Sequence, residues 1–129
     1  MAGRYRLALL ACVLLNVAAM SAQGPAVNRV MRKKLEVSHH ILEAVVTSRW
    51  AELEARSREL EDLTHDAAWR VLTSPEYAGH SDAFRQAVRT LHDAAAKRDL
   101  EATPNAFAAM TLSCVECHRY LARNRLAGK

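Results

Sequence analysis

Apolar residues in this chain recur at intervals of three and four, and nowhere do they alternate in twos. That period places side chains on one face of an α-helix, so each run must bury a stripe against another helix. The first run, 25–46, carries Val27, Met31, Leu35, Ser38, Leu42 and Val45. The second, 49–72, carries Trp50, Leu53, Ser57, Leu60, Thr64, Ala67 and Val71, with Ser48 as candidate N-cap and Ser74-Pro75 as its stop. A connection over 73–80 follows, containing Pro75 and Gly79. Ser81 then caps a third helix bearing Phe84, Val88, Leu91 and Ala95. Thr103-Pro104 opens a fourth, a capping residue followed by proline at the first helical position. It runs to about residue 124 with Phe107, Thr111, Cys114, His118 and Leu121 on its stripe. Only three prolines and four glycines interrupt 129 residues, so the expected fold is all-α, an up-down-up-down four-helix bundle.

The first 21 residues read as a cleaved signal peptide, leaving a single helical domain over 22–129. Arg4 and Arg6 give a positive start, Leu7 to Ala19 is almost unbroken apolar sequence, and Ala19-Met20-Ser21 puts small residues where a signal peptidase reads. The apolar run is short for a bilayer span, and no second one follows. A retained anchor, or a lipoprotein processed at Cys12 after Leu9-Leu10-Ala11, are the rival readings. Cleavage removes Arg4 and Arg6 but no acid, lowering the formal charge from +4 to +2. That balance gives no footprint for nucleic acid. Export to the periplasm is the expected destination.

Cleavage also removes Cys12, so Cys114 and Cys117 are the cysteines that remain. They belong to Cys114-Val115-Glu116-Cys117-His118, a CxxCH motif. Residues three and four apart share a helix face. Two thiols so spaced reach the two vinyl groups on one edge of a porphyrin, and the histidine after the second lies under the iron. The motif therefore predicts one covalently bound haem c, with thioethers at Cys114 and Cys117 and His118 as proximal iron ligand. A zinc site would need about four ligands, and no second Cys or His pair stands at ligand spacing. A thioredoxin-like pair wants a βαβ setting, and a disulfide across two residues of one helix would be strained. A small core also gains from a buried cofactor.

A leader, four helices and CxxCH in the last of them resemble the class II c-type cytochromes, the cytochrome c prime family. The resemblance covers the layout from about residue 25 to 125, and Cys114, Cys117 and His118 are its sharp motif. It implies a monohaem bundle that carries electrons between redox partner proteins or binds small gases, and a possible homodimer. Family members often carry an aromatic and a basic residue shortly after the motif; Tyr120 and Arg123 are the nearest equivalents, displaced from the usual positions.

The other face of the iron decides between those functions. In such a bundle the start of the first helix lies beside the end of the fourth. His118 is about six residues, or about 9 Å, from that end, and Met31 is about as far from the start of the first helix. Met110 lies on the proximal helix and cannot reach the opposite face. Met31 is therefore the candidate distal ligand, which suits an electron carrier. A vacant face beside Leu35 would suit nitric oxide or carbon monoxide, and His39 or His40 are further alternatives. Leu35, Phe107 and Leu121 are the expected pocket residues. His65, His80 and His92 are expected in solvent, and Trp50 and Trp69 within the bundle, with a dimer face as the alternative. No acid/base pair or nucleophile constellation appears, so the expected role is not that of an enzyme.

Overall fold

The computed structural model describes residues 25–70 and 72–127, with side chains through 124. The signal-peptide reading over 1–21 lies outside the described residues. Four α-helices and one short 3-10 turn make up the described chain, with no strand among them, consistent with a four-helix bundle. Helix α1 covers residues 25–46. Helix α2 is Trp50–Leu63, followed by the 3-10 turn Ala67–Trp69. Helix α3 is Pro75–Ala96 and α4 is Ala102–Ala127.

Helix α1 buries a stripe displaced by one position from the expected one. Val30, Lys34, Val37, Ile41 and Ala44 are buried, whereas Leu35 and Leu42 are exposed. Met31 and Val45 flank the buried row. A sequence reading that keeps lysine out of the core necessarily turns this helix the wrong way, because Lys34 occupies the buried face.

Both the α1–α2 and α3–α4 turns end in the same manner. Ser48 and Arg98 adopt left-handed φ of 54° and 53°. The next residue then folds back, Arg49 N–H donating to Ala44 C=O at 2.9 Å and Asp99 N–H to Ala94 C=O at 3.0 Å. These satisfy carbonyls that a helix end otherwise leaves open. Ser48 is thus a helix terminator and not the N-cap of α2; that position is Arg49, whose side chain makes no cap bond.

Helix α2 stops nine residues short of its expected end at Leu72. Thr64 turns its hydroxyl back to Glu61 C=O at 2.7 Å, and Asp66 accepts from Ala68 N–H at 2.8 Å. Side chains that bond nearby backbone offer an alternative to the helical ladder. The turn delivers Trp69 into the core against Phe84, ring centroids 5.3 Å apart, with its indole N–H donating to Ser81 Oγ. Ser74-Pro75 is a start and not a stop: Ser74 Oγ accepts from Tyr77 N–H at 3.2 Å, and Pro75 takes the first turn of α3. Ser81 consequently lies buried inside α3. At α4 the expected Thr103 cap gives way to Asp99, whose Oδ1 accepts from Glu101 and Ala102 N–H. Pro104 still falls in the first turn, where its missing N–H is harmless.

The helices pair antiparallel. Arg58 reaches His92, Glu61 pairs with Arg89, and Thr64 accepts from Arg85, so α2 ascends as α3 descends. Lys33 on α1 pairs with Glu59 on α2 at 3.1 Å. Ser74 at the start of α3 bonds Tyr120 near the end of α4 at 2.8 Å. Ile41, Leu53, Leu60, Val88, Leu91 and Met110 fill the centre.

Candidate functional site

Residues 114–118 form one continuous turn of α4. Cys114 and Cys117 are half-buried free thiols, and Cys114 packs against the central core. His118 is exposed. Burial pushes the Cys117 thiol up from its ordinary value, so it is held protonated at neutral pH.

Two grooves adjoin this turn. The first, about 580 Å³, is bordered by Met31, Lys34 and Leu35 of α1 and by Cys114, Val115 and His118 of α4. The second, about 360 Å³, lies toward the 3-10 turn and α3; Lys34, Trp69, Tyr77, Cys117, His118 and Leu121 border it. Met31 and Lys34 of α1 and His118 and Ala122 of α4 border both grooves. Sites for sizeable ligands have volumes of this order and mostly apolar linings. Leu35 is 60% exposed and Val115 40% exposed at the rim of the first groove, apolar surface that a flat hydrophobic ligand would cover.

The residues expected from the sequence fare differently. Cys114, Cys117 and His118 come together with Met31, Leu35 and Leu121 around the two grooves. Phe107 does not border them: it lies about two turns before Cys114 and packs against the central core. His39 and His40 border neither groove. Trp69 lies in the core beside Phe84, and Trp50 packs against the same cluster. Tyr120 is engaged by Ser74 and stacks on His80 at 5.1 Å, while Arg123 turns back to Arg119 C=O. Neither borders a groove.

Lys34 is the site residue that the sequence reading missed. It is 7% exposed, with its Nζ 3.5 Å from the Phe84 ring centroid and 4.7 Å from that of Trp69. Burial pulls its ammonium below the usual lysine value, and the neighbouring Cys114 thiol acts in the opposite direction. The signal lay in spacing: position 34 is four after Val30 and three before Val37, both buried. Tyr77, which donates its hydroxyl to Trp69 C=O, was missed because 73–80 read as a connection.

The donor set fits a haem. Two thiols three residues apart stand at adjoining grooves, Cys114 at the first and Cys117 at the second, and the imidazole of His118 borders both. Among the described residues, no group of three or more His, Cys, Asp or Glu is arranged to hold a bare metal ion. A porphyrin brings four nitrogens of its own and needs only axial donors from the protein. No family model, curated protein or solved structure matches the chain.

Proposed function

We propose that this chain is an exported, monohaem c-type cytochrome that carries electrons, built as an up-down-up-down bundle like the class II cytochromes it resembles. The observation that carries the reading is the position of Cys114, Cys117 and His118 on one turn of α4, with Cys114 and His118 along the apolar groove shared with α1 and Cys117 at the adjoining groove. When bound, haem supplies one-electron chemistry at its iron. The chain's own residues do the rest. Cys114 and Cys117 would hold the group, each thiol adding its S–H across a vinyl C=C to give a thioether with no other product. His118, which is exposed, would offer a ring nitrogen to the iron. Met31, the distal ligand expected from the sequence, borders both grooves from α1. Trp69 and Leu121, which border the second groove, would keep water from its inner side.

No helix among the described residues is long and apolar enough to cross a membrane. In this reading the leader over 1–21 directs the chain to the periplasm. Redox partner proteins would meet the edge around exposed His118, and a homodimer remains an expectation of the resemblance. A gas-binding version would keep the face opposite His118 free of donors. Two donor-bearing side chains of α1, Met31 and Lys34, border the grooves that His118 of α4 also borders.

The test is full-length protein matured with a working cytochrome assembly system. A pyridine haemochrome spectrum should show haem attached through two thioethers, and acidified acetone should leave the pigment on the protein. The pair Cys114→Ala and Cys117→Ala should abolish attachment. Colourless wild-type protein, or pigment extracted by acidified acetone, would reject the proposal.

A further inference from the structure

On the premise that a haem is bonded at Cys114 and Cys117, we infer that Lys34, in preference to Met31, is the side chain that bonds the iron on the face opposite His118. The inference rests on where the Lys34 amine lies and on what surrounds it. A lysine only 7% exposed is rare unless paired. Among the described residues no carboxylate influences this one; the polar neighbours at its head are the thiols of Cys114 and, farther off, Cys117. Its remaining neighbours are the faces of Phe84 and Trp69. Once both sulfurs are thioethers they can no longer carry negative charge. A protonated Lys34 that no haem propionate reaches would then be a buried cation without an anion, which is strongly unfavourable. Bonding removes that problem: the ammonium releases one proton to solvent, and its lone pair joins the iron.

The sides agree. A porphyrin anchored along Cys114 and Cys117 has one face toward exposed His118. The other helix that borders the first groove is α1, which brings Lys34 to it, with Nζ 3.5 Å from the ring centroid of buried Phe84. The levels agree as well. Helical side chains lean toward the N-terminus, so a long one covers the turn before its own Cα. From position 34 the amine thus leans back toward Met31, which borders the same two grooves as His118. Met31 is only partly buried and flanks the core row from outside it, whereas Lys34 stands in the row.

Two protein ligands would leave no open position for a gas, so the inference also favours electron transfer. An amine is a harder donor than a thioether and stabilises ferric iron more. The potential should therefore lie below that of a His–Met pair.

The test uses matured full-length protein and its ferric spectrum. Wild type should be six-coordinate and low-spin, without the red charge-transfer band of an iron–thioether bond. Met31→Leu should leave that spectrum unchanged. Lys34→Leu should turn it high-spin, and so should Lys34→Arg, which keeps length and charge but cannot give up its proton to bond iron. Far-UV circular dichroism on the same samples checks helicity. Near-infrared magnetic circular dichroism of unmutated protein separates amine from thioether without any substitution. A high-spin wild type, a thioether band, or a low-spin Lys34→Leu would overturn the assignment of Lys34 while leaving the haem in place. Absence of covalent haem would strike the proposed function itself.

Discussion

Ser48 and Arg98 hold left-handed backbone without being glycine, with φ of 54° and 53°. For an L-residue with a Cβ that conformation costs roughly 1–2 kcal/mol. Both side chains are exposed, so replacing either sacrifices little packing. Ser48→Gly and Arg98→Gly should each stabilise the protein by about 0.5–1 kcal/mol after glycine's extra unfolded-state entropy is subtracted. Thermal unfolding checks this, since about 1 kcal/mol moves the midpoint of a domain this size by roughly 4–8 °C. A lower midpoint in both variants would mean that side-chain contacts at these turns outweigh the backbone strain. Thr103 is the complementary case. Its Oγ1 is buried with no hydrogen-bond partner, because Asp99 has taken the cap that sequence spacing assigned to Thr103.

Helix α3 depends at its start on one serine that serves two elements. Ser74 Oγ accepts from Tyr77 N–H and also meets Tyr120 OH of α4, two residues beyond His118. Loss of an N-cap costs about 1 kcal/mol. Ser74→Ala should cost that and slightly more, and amide hydrogen exchange should rise first in the opening turn of α3. An unchanged exchange pattern would show that Pro75 alone suffices to begin the helix. The same dipeptide shows why the elements were only partly legible in the sequence. Ser-Pro both ends a preceding helix and begins a following one, and local pattern cannot choose. The choice was made at Thr64 and Asp66, whose side chains redirect the chain after Leu63. The helical class and the CxxCH turn were legible because both are local, needing only spacing along one helix. Lys34 and the one-position rotation of α1 were not, because they depend on which neighbours surround the helix. A lysine becomes a core residue only where aromatic faces such as Phe84 and Trp69 receive its head.

Across the whole molecule, packing and chemistry occupy different ends. Ile41, Leu53, Leu60, Val88 and Leu91 are fully buried among themselves, whereas the thiols, His118, Met31 and Lys34 gather where α1 begins and α4 nears its close. Ile41 lies about two turns along α1 from Lys34, roughly 10 Å at 1.5 Å per residue. Removing its side chain to leave alanine should cost about 2–5 kcal/mol, through lost burial and the cavity left behind. The midpoint should accordingly fall by roughly 10 °C or more. Changes that far apart with no shared partner usually act independently. Ile41→Ala should therefore weaken the bundle while leaving the position and shape of the haem absorption bands as they are below the unfolding transition. A spectrum that shifted at low temperature would show that the central core sets the axial geometry directly. The bundle could not then be treated as a stable centre carrying an independently adjustable site at one end.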